Sequence, residues 1–288
     1  MITKLSYRRS LGERVCAAIP PGVASTPVSA SNPPPTSSFR IVEETLRTDL
    51  PVLEHPEWRR DLPWLIQGTT TAQLHGRPFD LGLFSDASSP RSVLEAWERL
   101  RGGLGVRTMV HARQIHESAV RFHRADSPGL HLAEACDGHA TADEGVTLAV
   151  TTADCVPVFL VDPERKAVAL LHAGWRGAAA GILERGLDVL GERVGSAPHH
   201  VLVHLGPAIC GACYEVGREV FQALGLEVPP GPQAIDLRHH IAQRAVARGV
   251  LPESISISSH CTRCGDVSLF SHRGGDRQRQ AAFLGLRP

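Results

Sequence analysis

Apolar positions set out the first elements. Val93, Leu94, Trp97 and Leu100 recur at helical spacing, with Ser89 as an N-cap, Pro90 at the first helical position and Gly102-Gly103 as the stop. A second helix fits Arg176 to Val194, where Ile182, Leu183, Leu187, Leu190 and Val194 share one side. Asp236 caps a third, in which Leu237, Ile241 and Ala245 recur every fourth residue until Gly249. Strands are expected at Met109 to Ala112, Val146 to Thr151, Pro157 to Val161, Val168 to Leu171, Val201 to Leu205 and Ser254 to Ser258. Several are unbroken apolar runs, the pattern of a sheet covered on both faces. Strands and helices do not alternate strictly, so the pattern predicts an α+β fold with a mixed sheet. Phe39 to Trp64 supplies one short strand or a packed edge, and Met1 to about Ser38, rich in Pro, Ser, Ala and Thr, reads as a disordered extension. A single domain over 39–288 follows.

One hairpin is specific enough to fix a register. Pro163-Glu164-Arg165-Lys166 forms a four-residue loop between two apolar runs. If Asp162 faces Ala167, His172 lies opposite Pro157, and Cys155 sits two residues further along, on the same face as a diagonal neighbour. A slip of one residue would place the two on opposite faces.

Composition narrows the classes. The 288 residues carry 30 Lys+Arg against 30 Asp+Glu, so no net field attracts nucleic acid or an anionic membrane. No apolar run approaches the ~20 residues of a membrane span. Seven cysteines, an odd number, do not make a secreted disulfide framework, and the N-terminus is a poor signal peptide, so a reducing cytoplasm is expected.

The candidate chemistry lies in Gln114-Ile115-His116, Ala153-Asp154-Cys155 and His172-Ala173-Gly174-Trp175-Arg176. Two imidazoles and a thiolate suit a tetrahedral zinc with one position left for water or substrate. Spacing brings Cys155 and His172 together, but His116 arrives from a separate segment, and three unrelated buried polar residues fit the pattern as well. Gly174 lets the backbone approach a ligand, and Arg176 offers a planar fork for phosphate; a tight turn with a solvent-facing arginine is the plainer alternative. Cys210-Gly211-Ala212-Cys213 and Cys261-Thr262-Arg263-Cys264 form two Cys-x-x-Cys pairs. Their separation is long for a compact zinc ribbon, so packed thiols are expected, with a structural metal or a redox pair as alternatives.

These motifs, with Gly206-Pro207-Ala208-Ile209, Tyr214-Glu215-Val216-Gly217, Cys261-Thr262, Phe270-Ser271-His272-Arg273 and Arg279, resemble the laccase-domain family in order from about Gly68 to Leu284. That family, first named polyphenol oxidases, is understood as purine nucleoside phosphorylases with adenosine deaminase activity. The resemblance implies a mixed β-sheet sandwich flanked by helices, and His116, Cys155 and His172 as zinc ligands. It further implies phosphorolysis of adenosine, inosine, guanosine and methylthioadenosine, with deamination of adenosine. Gln114, Gly174, Arg176 and Arg279 are then the substrate-binding candidates, with Arg176 and Asp154 as catalytic ones; Asp154 would shuttle a proton for zinc-activated water or, equally, orient a metal ligand from behind. Laccase chemistry is rejected: none of the 15 histidines forms a His-x-His pair, so a multicopper cluster lacks ligands, though copper could enter the site adventitiously. Gly68-Thr69-Thr70-Thr71-Ala72 and Leu81-Gly82-Leu83 depart from the family by lacking an arginine and an asparagine, for which Arg77 is a candidate substitute. Two other readings remain. Cys155 and His172 also make the nucleophile and base of a cysteine hydrolase or deamidase, for which His116 is surplus; alternatively the domain binds nucleosides or zinc without catalysis.

Overall fold

A computed structural model describes residues 39–47 and 49–288, so the expected N-terminal extension lies outside the described residues. Two seven-stranded mixed sheets dominate. The first runs in the order Arg40–Val42, Ile255–Ser258, Leu202–Leu205, Val156–Asp162, Ala167–Ala173, Gly138–Thr141, Val120–His123. The second runs Thr45–Arg47, Val52–Glu54, Leu65–Thr70, Gln280–Leu286, Val146–Thr152, Thr108–Ala112, Gly129–Ala133. Among the described residues no helix is long and apolar enough to cross a membrane.

The sheets pack face to face, which explains the unbroken apolar runs. Phe159, Val161, Val168 and Leu170 of the first meet Leu148, Val150, Ala282 and Leu284 of the second. Alternate residues Val158, Leu160, Ala169 and Leu171 point the other way, under Ile182–Val194 and Leu237–Ala247. On the far side of the second sheet, Met109, Ala149, Ala281 and Phe283 are covered by Pro90–Leu104 through Val93, Trp97 and Leu100. The result is an α/β/β/α stack in which both faces of each central strand are dry, each large side chain contributing roughly 1.5–3 kcal/mol through burial. Trp97 is buried without an orphaned donor, because its Nε1–H donates to the Leu81 carbonyl at 3.1 Å.

The helix signals hold at their starts. The Ser89 hydroxyl accepts from the Ser92 amide, and the Asp236 carboxylate from the His239 amide. The first helix runs on to Leu104, with Gly105 as its left-handed cap. The expected helix from Arg176 to Val194 is two: Trp175–Ala179 and Ile182–Val194. Gly181 breaks it at φ 86°, and Arg244 stabilises the break by donating to the Ala178 carbonyl, which also accepts the Gly181 amide at 3.2 Å, and, at 2.6 Å, to Glu184. Phe39 to Trp64 holds three short strands and the helix Pro56–Asp61, more than the single strand expected.

Candidate metal centre

The hairpin register is the one that sequence required: Asp162 pairs with Ala167, and Pro157 with His172. His172 therefore shares the inter-sheet face of Val168 and Leu170, at the open end of its strand. Cys155 lies in the short connection that carries the chain from Val146–Thr152 in one sheet to Val156–Asp162 in the other. His116 follows Thr108–Ala112 and turns back at φ 61°. All three reach the same end of the sandwich, and their ligand atoms lie within 4.8 Å of one another. The two imidazole rings are nearly perpendicular, 82° apart, with centroids 4.8 Å apart. His172 is buried, Cys155 half-buried and His116 exposed, so the group opens to one side.

Asp137, which sequence reasoning passed over, organises this group. Its fully buried carboxylate accepts the His172 Nδ1–H at 2.9 Å and the amides of Ile115, His116 and Glu117 at 3.0, 2.9 and 2.9 Å. Burial alone would favour the protonated acid, but the His172 hydrogen bond and the Glu117 and Ile115 amides outweigh it and hold the carboxyl below its ordinary range. With Nδ1 engaged, His172 presents Nε2 to the centre, the carboxylate–histidine arrangement typical of metal ligands. Gly174 is cut to fit: a Cβ there would lie 3.1 Å from both Cys155 Sγ and His116 Cδ2. Burial raises the Cys155 thiol, but the His172 charge and hydrogen bonds from His116 and His172 prevail and draw it down to about 6. Burial likewise opposes the His172 imidazolium, yet the Cys155 charge and the Asp137 hydrogen bond raise it to about 9. Two nitrogens and a readily ionised sulfur, held from behind, fit a borderline transition metal.

The centre stands between two cavities, of about 340 and 300 Å³, that share His116, Ala153, Cys155 and His272. The larger is bounded by Gly82, Phe84, Gln114, Thr151 and Arg279, the other by Gly174, Trp175, Arg176, Tyr214 and Arg273. Arg176 is held with its guanidinium 4.3 Å from the Trp175 ring centroid, and Arg273 lies 5.4 Å from that of Tyr214. The Trp175–Ala179 helix is only five residues long, so its amides carry little dipole with which to attract an anion, and the guanidinium groups supply the charge. Gln114 clasps Thr151, donating to its carbonyl at 2.8 Å and accepting from its amide and hydroxyl at 2.7 and 2.9 Å. The Asp154 carboxylate accepts from the Thr262 and Ser271 hydroxyls at 2.6 and 2.8 Å and from the Arg273 amide at 2.6 Å. These bonds hold Asp154 at φ 89°, which a side-chain-bearing residue rarely adopts. Arg279 lines the larger cavity while donating to the Gln278 carbonyl at 2.7 Å, whereas Arg77, on a short exposed hairpin, lines neither. Phe84, His272 and Arg273 join the cavities without having been singled out as site residues; His272 and Arg273 were visible only as part of a motif.

Residues 70–287 match the family model described as multi-copper polyphenol oxidoreductase laccase. Purine nucleoside phosphorylase YlmD of Geobacillus stearothermophilus is 38% identical over 164 residues, 52% of this chain and 60% of that protein. Adenosine deaminase RL5, from an unknown prokaryotic organism, is 35% identical over 213 residues, 67% of this chain and 81% of that protein. The crystal structure of YlmD from Geobacillus stearothermophilus superposes with a TM-score of 0.76 at 28% identity, covering 86% of this chain and all of that one. The family description keeps an oxidase name, yet the metal-capable groups among the described residues are one His/Cys/His set and one of four cysteines, neither a histidine-rich copper cluster. On a match over residues 70–287, which include His116, Cys155 and His172, the chain belongs to the multi-copper polyphenol oxidoreductase laccase family.

Proposed function

We propose that residues 39–288 form one catalytic domain, a zinc-dependent cytoplasmic purine nucleoside phosphorylase with adenosine deaminase activity, acting on adenosine, inosine, guanosine and methylthioadenosine. The observation that carries this reading is the His116/Cys155/His172 group, oriented by Asp137 and exposed to two adjoining cavities. The names of the YlmD and RL5 relatives support the two activities.

Zinc held by His116, Cys155 and His172 would supply Lewis-acid polarisation and a lowered pKa for water. The chain itself must bind, orient and balance charge. Arg176 and Arg273 receive the phosphate, their planar groups braced by Trp175 and Tyr214. Phe84 offers the purine an aromatic face in the other cavity, with Arg279 and the Gln114-clasped Thr151 beside it. In phosphorolysis a phosphate oxygen bonds to the anomeric carbon as the bond to the purine nitrogen breaks, and the purine leaves with that electron pair. His272, on the wall common to both cavities, is placed to give the departing base its proton. In deamination water adds at purine C6 and ammonia leaves. Asp154 acts by position: its oxygens are engaged with Thr262, Ser271 and the Arg273 amide, so it holds the Cys155 turn and Arg273 in place.

Incubation with adenosine and phosphate is expected to yield adenine and ribose 1-phosphate, together with inosine. Cys155→Ala should lower both activities by about a hundred- to a thousandfold, the scale of losing transition-state charge stabilisation. Undiminished turnover by a metal-free Cys155→Ala protein would reject the mechanism. A second reading keeps a specific observation: without metal, Cys155 and His172 form a thiolate–imidazolium pair suited to cysteine hydrolase chemistry. Rapid inactivation by iodoacetamide of a metal-free, active enzyme would favour it, whereas activity removed by a chelator and restored by zinc favours the phosphorylase.

A further inference from the structure

The two Cys-x-x-Cys pairs, distant in sequence, come together in the fold. They follow Leu202–Leu205 and Ile255–Ser258, which are parallel neighbours with Val203 opposite Ile255. Both chains leave the sheet at the same end and stay in register: Ala208 bridges to Cys261, and the Thr262 amide donates to the Ala208 carbonyl at 3.1 Å. Sheet pairing therefore does the work that a short linker does in a compact zinc ribbon. The sulfurs of Cys210, Cys213, Cys261 and Cys264 all lie within 4.8 Å of one another.

We propose that these four cysteines bind a second, structural zinc ion that fastens the two loops together. Tetrahedral coordination with Zn–S bonds of about 2.3 Å requires sulfur–sulfur edges of about 3.8 Å. Cys210 and Cys264, one from each pair, stand 3.8 Å apart, and the 4.8 Å limit leaves only a small contraction for the rest. Cys261 Sγ accepts from the amides of Cys210, Arg263 and Cys264 at 3.3, 3.4 and 3.5 Å. N–H groups turned on one sulfur orient it from behind, as outer hydrogen bonds do for metal ligands. The second loop closes tightly, with the Gly265 amide on the Cys261 carbonyl at 3.0 Å. A Cβ at Gly265 would lie 2.5 Å from that carbonyl oxygen. Two of the cysteines are buried and two half-buried, and four protein sulfurs leave no position for substrate. The loops so joined carry Thr262, which holds Asp154, and Tyr214, which lines a cavity beside Cys155.

The test uses the full chain, purified under reductant without chelator, with metals measured by mass spectrometry. In His116→Ala/Cys155→Ala, which dismantles the first centre, we expect one zinc per chain to remain. Cys213→Ser/Cys264→Ser should lose one equivalent relative to the unaltered protein. If that variant does not fold, cobalt added to metal-depleted His116→Ala/Cys155→Ala should produce a thiolate-to-cobalt charge-transfer band, which zinc abolishes. No metal in His116→Ala/Cys155→Ala, iron instead of zinc, or a disulfide among the four cysteines in the reduced protein would overturn the proposal.

Discussion

Asp137 shows how one carboxylate can serve two candidate ligands at once: it fixes the His172 ring directly and the His116 backbone through three consecutive amides. Asp137→Asn keeps the shape but presents an N–H to one or more of those donors, and it removes the charge that favours Nδ1–H on His172. The expected outcome is zinc affinity weakened by about 10–100-fold, the usual cost of losing such a partner, with far less change in folding. Competition against a chelator of known affinity would measure it, and an unchanged dissociation constant would refute the role. Asp137 was hidden in the sequence because it carries no ligand spacing; it lies between Cys136 and Gly138, ahead of a strand of small and polar residues. Residues that act through other residues leave little trace in a pattern. Cys155 and His172 were legible for the opposite reason, since strand periodicity and loop length together determine which residues oppose each other.

The elements divide along the same line. The 156–173 hairpin was readable to the residue because both strands are long, apolar and joined by a short loop. The two sheets were not separable in advance, because a strand covered by another sheet and one covered by helices give the same unbroken apolar run. Gly138–Thr141 and Gly129–Ala133 escaped notice: Gly-His-Ala-Thr and Gly-Leu-His-Leu-Ala lack the β-branched run that marks a strand, and pairing with neighbours decides their state. The helix break at Gly181 was missed because the apolar face continues across it; periodicity reports which side is buried, not whether the backbone is continuous. Only glycine adopts φ 86° without cost, and its Cβ position has room. Gly181→Ala should therefore destabilise the protein by about 1–2 kcal/mol through backbone strain alone. Urea unfolding would show a lower midpoint at unchanged slope, and an unaltered midpoint would mean that the break relaxes into continuous helix.

At the scale of the molecule, the α/β/β/α stack buries histidines as well as hydrocarbons, and that sets its response to acid. His111 is buried on the second sheet, its Nδ1–H donating to the Ala149 carbonyl at 3.1 Å while Nε2 has no hydrogen-bond partner among the described residues. Burial lowers its imidazole to about 4, against the Ala149 carbonyl, which favours the charged form. His55, stacked on Trp58 and accepting the Trp58 amide at Nδ1, is lowered to about 3 by burial and by the His204 and Arg40 charges. In the unfolded chain both protonate near 6.5, so as pH falls the unfolded state takes up protons first. Their contribution is complete above about 6.5 and is lost as pH falls towards 4 and 3, by up to about 1.4 kcal/mol per pH unit for each histidine. In metal-free protein, where the comparison is made, His172 is raised rather than lowered and acts in the opposite sense and only above 6.5, so it does not mask the effect. Urea unfolding followed from pH 6.5 to 5 should show stability declining steeply. His111→Leu should flatten that decline by close to one proton per molecule, because its unfolded state has one site fewer to protonate. A slope identical to that of the unaltered chain would mean that His111 is already charged in the fold, and that the layer between the second sheet and the Pro90–Leu104 helix, where His111 stacks on Trp97, is wetter than its packing indicates.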